Sequence, residues 1–143
     1  MFAYLQGRSS RKEYWIGVAL LLLVGIGLAY ANVGGASGAT TFLWILVWNR
    51  RLHDIGQSGW IILAPLGLMI AATAAGLVLG GDELLNAFEY SQKGSGPVTD
   101  RGAWLFAGTV LVLIAIQFGF TIWLGIKKGD PGDNRFGPPP PAF

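Results

Sequence analysis

The residues best able to do chemistry lie in a polar segment, residues 50–60, between two strongly apolar stretches. The segment runs Arg-Arg-Leu-His-Asp-Ile-Gly-Gln-Ser-Gly-Trp. Arginine can hold a phosphate or carboxylate by paired hydrogen bonds, and a nearby aspartate can neutralise it. Because arginine or aspartate at the centre of a bilayer costs roughly 2.5 to 3.5 kcal/mol on insertion scales, we expect this segment at a membrane surface.

Basic residues elsewhere extend the candidate site, for which an anionic lipid headgroup is the simplest ligand. The candidate ligand or headgroup-binding residues are Arg8, Arg11, Arg50, Arg51, His53, Asp54 and Arg135. The residues expected to form a supporting structural network are Glu13, Ser58, Trp60, Asp133 and Asn134. The alternative is that the arginines only set membrane orientation and tie loops together.

Catalysis, metal binding and cofactor binding find little support in the residue types. His53 is the only histidine and the chain has no cysteine, so a metal site would depend on carboxylates such as Asp54 and Asp133. His53 and Asp54 are adjacent, and adjacent residues on a helix do not face each other. We therefore predict no catalytic residues, no metal and no cofactor, and a protein that is not an enzyme.

Composition indicates a membrane protein. Hydrophobic residues make up 52% of the 143 residues and charged residues only 13%, about half the fraction usual in soluble domains. The formal charge of +2 and the lack of a basic, aromatic-rich run argue against nucleic-acid binding. The expected partner is the lipid bilayer, with an anionic phospholipid and a homo-oligomeric partner as further candidates.

Four apolar blocks predict an all-α membrane protein with four transmembrane helices in one domain. About 20 residues are needed to cross a bilayer, and the second block is the shortest. The predicted helices are 14–31, 39–52, 60–79 and 103–126. They are separated by a glycine-rich turn over 32–38 and an exposed loop over 80–102, and a proline-rich tail follows over 129–143. Within the exposed loop, residues 83–90 could form a short surface helix.

Local signals predict where these helices begin and end. Ser10 and Glu13 have the spacing of a capping box at the start of the first helix. Gly56 is suited to end the second helix, Ser58 to cap the third, and Asp100 to cap the fourth. A cleaved signal peptide is an alternative for the first block, but Glu13 within its charged region argues against it.

Basic residues are distributed unevenly across the predicted crossings. Eight of the ten fall on one side, and they are Arg8, Arg11, Lys12, Arg50, Arg51, Lys127, Lys128 and Arg135. The positive-inside rule then predicts both termini in the cytoplasm. Tryptophans near the block ends are typical of an interfacial aromatic belt, and they are Trp15, Trp48, Trp60, Trp104 and Trp123.

Three motifs together resemble the domain of unknown function 805 family of small bacterial inner-membrane proteins. They are Phe2 with Gly-Arg-Ser-Ser-Arg-Lys-Glu-Tyr-Trp at 7–15, the polar segment at 50–60, and Gly-Asp-Asn-Arg-Phe-Gly-Pro at 132–138. The resemblance implies a multi-pass protein of the bacterial inner (cytoplasmic) membrane. It implies no molecular activity.

The leading hypothesis is a membrane protein whose cytoplasmic-face Arg/Asp/His cluster organises the fold and is a candidate to bind an anionic headgroup or a partner protein. The alternative is a small oligomeric transporter or channel subunit. In that case Gly76 and Gly80, which form a G-x-x-x-G pattern, would lie with Gln117 at subunit or pore contacts.

Overall fold

The computed structural model describes residues 7–31 and 36–141, and every regular element within those ranges is a helix. The helices are α1 (Arg11–Tyr30), α2 (Ala36–Asp54), a 3₁₀ helix (Gly59–Ile62), α3 (Leu63–Lys93) and α4 (Asp100–Ile126). This confirms the all-α prediction. Phe2 and most of the predicted turn over 32–38 lie outside the described residues, and the last residues of that turn begin α2.

Three helices, not the predicted four, are long and apolar enough to cross a membrane in the part of the chain the structure describes. These are α1, the 3₁₀ helix continued by α3, and α4. The second helix forms, with 19 residues, but both of its ends are polar. It begins Ala-Ser-Gly-Ala-Thr-Thr and ends Asn-Arg-Arg-Leu-His-Asp, which leaves too short an apolar centre.

The predicted loop over 80–102 is largely helical, because α3 continues to Lys93 and α4 begins at Asp100. Gly81 interrupts α3 with φ 47° and ψ −128°, a backbone conformation that glycine adopts without the steric cost of a Cβ atom. A single glycine thus lets the chain turn between an apolar half and a polar half that both remain helical.

The helix ends match the sequence signals with one exception. Ser10 and Glu13 form the full capping box at α1. Gly56, at φ 68°, closes α2 by donating to the His53 carbonyl oxygen at 3.2 Å, and the next amide, of Gln57, donates to a carbonyl one residue further back. The exception is α4, where the Thr99 hydroxyl, rather than Asp100, accepts from the amide of Gly102 at 3.0 Å.

The described chain divides into two compact units, of which the first comprises Met1–Ile62 and Thr121–Phe143. Its centre is a three-residue junction. The Tyr14 hydroxyl donates to the Thr121 carbonyl oxygen at 2.8 Å, and the Trp48 indole donates to the Thr121 hydroxyl at 3.1 Å. Trp48 is only 1% exposed, so it belongs to this core and not to the predicted interfacial belt.

The second unit, Leu63–Phe120, pairs α3 with the first part of α4. A Cβ atom added at Gly76 would lie 2.7 Å from the Thr109 hydroxyl, and one added at Gly80 would lie 3.0 Å from Leu105. Close approach of the two helices therefore requires small residues at these positions. The G-x-x-x-G pattern packs against this chain's own helix.

Large apolar side chains are exposed on all four helices. Representative side chains are Ile26 (68% exposed), Phe42 (60%), Ile70 (71%) and Leu111 (65%). A protein surrounded by water rarely exposes so much continuous apolar surface. The outer helical surfaces are those of a membrane protein.

Candidate functional site

Asp54 is the centre of a buried ionic network in the first unit. The Arg8 Nε donates to Asp54 Oδ1 at 3.1 Å, and the Arg51 Nη1 donates to Oδ2 of the same carboxylate. Asp54 is 3% exposed, Arg8 5% and Arg51 0%. One carboxylate is therefore shared by two arginines that are almost entirely removed from solvent.

The remaining donors of Arg51 are used by backbone carbonyls. Its Nη1 also donates to the Ser9 carbonyl oxygen at 3.1 Å, and its Nε donates to that of Leu124 at 3.2 Å. Its Nη2 donates to the Lys127 carbonyl oxygen. These last two acceptors belong to the C-terminal end of α4, where a cation is favourable because the helix dipole leaves negative partial charge there.

Arg8 binds the tail that follows α4. Its Nη1 donates to the carbonyl oxygens of Gly132 at 2.6 Å and Gly137 at 3.2 Å, and its Nη2 donates to that of Asp130. The Asp130 amide in turn donates to the Asp54 carbonyl oxygen at 2.8 Å. Arg8 thus joins the segment before α1, the end of α2 and the tail.

Glycines let the backbone come this close to the carboxylates. A Cβ atom at Gly129 would overlap the Asp54 carboxylate, and one at Gly56 would lie 2.6 Å from Asp130 Oδ2. Any larger residue at Gly129 would push the tail away from Asp54. The two glycines therefore belong to the network although neither has a functional side chain.

Burial shifts the pKa values of the charged groups in this network. It raises the pKa of the Asp54 carboxyl above its ordinary value, while the charges of Arg51 and Arg8 act in the opposite direction. Burial likewise lowers the pKa of Arg51, and Asp54 opposes that change. Removing charges from water is costly, and removing one partner of a buried pair leaves the other charge uncompensated.

The tail is anchored by a second set of contacts around His53. The His53 ring stacks on Phe136, with centroids 3.9 Å apart and planes 7° apart. The Asn134 side chain donates to the His53 carbonyl oxygen at 3.0 Å and to Asp130 Oδ2 at 2.9 Å. Arg135 remains exposed, and its Nη2 donates to the Gly56 carbonyl oxygen at 3.3 Å.

The other predicted residues take no part in the ion pairs of this network. Glu13 serves the α1 capping box, and Asp133 is exposed and forms no ion pair with any described residue. Ser58 caps the 3₁₀ helix by accepting from the Trp60 amide at 3.4 Å, and Trp60 itself is 77% exposed. Arg50 lies at the edge, donating to the Arg8 carbonyl oxygen at 3.1 Å.

Exposed basic side chains surround the buried network, and we call them the basic rim. The rim consists of Arg11, Lys12, Lys127, Lys128 and Arg135, all exposed. Arg11 caps α4 by donating to the carbonyl oxygens of Ile126 at 2.7 Å and Lys127 at 3.0 Å. Arg11 and Lys128 also line a shallow depression of about 380 Å³.

Several contributors had no usable signal in the sequence. The carbonyl acceptors of Arg8 and Arg51 belong to the backbone, and the type of a residue does not indicate whether its carbonyl accepts such a bond. Tyr14 and Thr121 hold the core of the unit beside the network, and neither type is diagnostic. Phe136 stands in one of the quoted motifs, and its pairing with His53 became apparent only in three dimensions.

Comparison with known proteins identifies a family. A sequence profile described as protein of unknown function (DUF805) matches residues 2–138. The chain belongs to the DUF805 family. No curated protein and no solved structure gives a significant match. The DUF805 profile covers both arginines, Asp54 and the tail glycines of the network.

Proposed function

We propose that this DUF805 protein is a non-catalytic, multi-pass protein of the bacterial inner membrane. In this proposal the buried Arg8–Asp54–Arg51 network holds the helix ends and the tail together on the cytoplasmic side. The basic rim binds anionic phospholipid headgroups. The observation that carries the proposal is the use of the buried arginine donors. Asp54 and backbone carbonyls occupy them, which supports a structural role for the network and leaves ligand contact to the exposed rim.

The network also supports four crossings. Arg8 precedes α1 and contacts Asp54 at the end of α2, so α1 and α2 form a hairpin that returns to its starting side. At about 1.5 Å per residue, the 20 residues of α1 and 19 of α2 span about 30 and 28 Å. We propose that α2 crosses despite its polar ends, with Trp48 near the end of its membrane segment.

The segment that contains α3 and α4 also supports four crossings. The 3₁₀ helix and α3 begin shortly after Asp54, and Arg51 holds the C-terminal end of α4. Residues 63–120 therefore leave from and return to the network. With eight of ten basic residues on the network side, the positive-inside rule assigns that side to the cytoplasm.

The rim proposal is tested with the full-length protein reconstituted in phosphatidylcholine vesicles that contain a minor fraction of spin-labelled phosphatidylglycerol. We expect the protein to immobilise phosphatidylglycerol in preference to labelled phosphatidylcholine. A basic residue near an anionic surface contributes about 1 kcal/mol. Replacing two, in the variant Arg11→Gln with Lys128→Gln, should therefore lower the preference roughly 5- to 30-fold.

Lys93→Gln is the matched control, because Lys93 is an exposed basic residue in the second unit, paired only with the exposed Glu89. It should leave the preference unchanged. Equal loss in the control and the rim variant would indicate a general charge effect and would contradict the proposal. So would an unchanged preference in a correctly folded rim variant.

A further inference from the structure

A groove between α1 and α2, within the first unit, has one charged end and apolar walls. Its volume is about 530 Å³. The charged end is formed by Ser9, Glu13 and Arg50, and the walls include Ile16, Leu20 and Leu43. None of these wall residues is buried, and Ile16 is 60% exposed.

Both helices change from charged to apolar in the same direction along the groove. On α1 the lining residues run from Glu13 through Ile16 to Leu20, and on the antiparallel α2 they run from Arg50 to Leu43. Seven residues of helix rise about 10 Å. The groove therefore has the polarity of an amphiphile, with its charged end beside the buried network.

The two charged groups at that end are held by backbone hydrogen bonds. Glu13 Oε2 accepts from the Ser10 amide at 2.9 Å, and Arg50 Nη2 donates to the Arg8 carbonyl oxygen at 3.1 Å. Such bonds orient a carboxylate and a guanidinium before any ligand arrives. A ligand that matches both groups carries an anion and a cation close together, followed by an apolar chain.

We propose that this groove binds one phospholipid with a zwitterionic, primary-amine headgroup of the ethanolamine type. The guanidinium of Arg50 binds the phosphate, the carboxylate of Glu13 binds the ammonium, and an acyl chain lies along Ile16, Leu20 and Leu43. The inference rests on the proposed membrane location of the protein. It concerns a different surface from the basic rim, since Glu13 would repel a headgroup that carries only negative charge.

The test is native mass spectrometry of the full-length protein in detergent, titrated separately with phosphatidylethanolamine, phosphatidylcholine and phosphatidylglycerol that share the same acyl chains. We expect one phosphatidylethanolamine per chain to bind about tenfold more tightly than phosphatidylcholine, because the primary ammonium donates charge-assisted hydrogen bonds that a quaternary one lacks. Glu13→Gln should abolish that difference. Glutamine preserves the capping box, so α1 still begins normally.

Two further variants complete the test. Glu89→Gln makes the same charge change at an exposed site in the second unit and should retain the preference. Leu43→Trp fills the groove from its wall and should remove the single bound phosphatidylethanolamine without changing the helical circular dichroism.

Equal binding of phosphatidylethanolamine and phosphatidylcholine to the unaltered protein would overturn the inference. So would a preference that survives Glu13→Gln, or a single bound phosphatidylethanolamine that survives Leu43→Trp. The rim proposal fails separately, if the unaltered protein shows no phosphatidylglycerol preference in vesicles or if the rim variant keeps that preference. A protein that prefers phosphatidylglycerol there and shows no ethanolamine selectivity would contradict only the groove.

Discussion

At the scale of single residues, the fold of the first unit depends on one carboxylate. Asp54 is the only acidic side chain that the two buried arginines contact among the described residues. Both arginines reach distant segments through their other donors. Loss of Asp54 would therefore leave two buried positive charges facing each other with only carbonyl dipoles to stabilise them.

Asp54→Asn should lower the free energy of unfolding by about 3 to 5 kcal/mol, the range observed when one partner of a buried ion pair is removed. The measurement is a denaturant titration in mixed micelles, followed by circular dichroism. Asp133→Asn is the control, since Asp133 is exposed, and it should change stability by less than about 0.5 kcal/mol. Similar losses in the two variants would show that the buried pairing does not stabilise the fold.

The sequence predicted part of this residue-scale arrangement. It indicated that arginines from three distant segments would lie on the same face as Asp54, and Arg8 and Arg51 contact that carboxylate. It also placed Glu13 and Asp133 in the supporting network, but Glu13 caps its own helix and Asp133 is exposed. The remaining donors of Arg8 and Arg51 bind backbone carbonyls instead. Because every residue has a carbonyl, sequence patterns cannot indicate which ones are used.

At the scale of elements, glycine positions determine how closely helices approach. Gly125, in the last turn of α4, is buried, and a Cβ atom there would overlap the indole ring of Trp15 on α1. Gly119, on the same helix, has no heavy atom within 4 Å of its Cβ position. One glycine is needed for packing and the other is not.

Gly125→Ala and Gly119→Ala should therefore have opposite effects on stability. Overpacking costs about 1 to 3 kcal/mol, so Gly125→Ala should destabilise the protein. Gly119→Ala should be neutral or stabilising by up to about 1 kcal/mol, because alanine has the higher helix propensity. Thermal unfolding in detergent measures both, and a stabilising Gly125→Ala would contradict the described contact between α1 and α4.

Helix ends could be predicted where the signal is a short sequence pattern, and helix lengths could not be predicted where no such pattern exists. The capping box of α1 and the glycine that ends α2 followed from short-range spacing. The helix after Gly81 followed only in part: a short helix over 83–90 was an alternative to the loop, but its continuation from α3 to Lys93 was not predicted, because a charged, glycine-containing stretch is equally typical of a loop. The second helix has an apolar centre, but its two polar ends leave it outside the helices that are long and apolar enough to cross, so its crossing is a proposal.

At the scale of the whole molecule, the proposed four crossings can be tested directly because the chain has no cysteine. Single cysteines would be introduced at four exposed positions, namely Ala31, Gln57, Ser95 and Asp133. A membrane-impermeant maleimide added to oriented vesicles then reports the side on which each one lies.

We expect Gln57→Cys and Asp133→Cys to react from the cytoplasmic side, and Ala31→Cys and Ser95→Cys from the opposite side. If only three helices cross, α2 remains on one surface, and Ala31→Cys and Gln57→Cys react from the same side. The sides from which Ala31→Cys and Gln57→Cys react therefore decide between the two topologies. Reaction of these two variants from the same side would contradict four crossings.

The distance along the chain between Arg8 and its acceptors has a consequence for biosynthesis. Arg8 leaves the ribosome long before the carbonyls of Gly132 and Gly137 that it binds, because they lie 124 and 129 positions later in the chain. During translation its Nε can pair with Asp54 once α2 has been made, but its Nη1 gains these carbonyl acceptors only after α4 has been made. The contacts between Arg8 and the tail therefore form late in maturation. A nascent protein truncated before the tail would insert its helices into the bilayer but would lack these contacts.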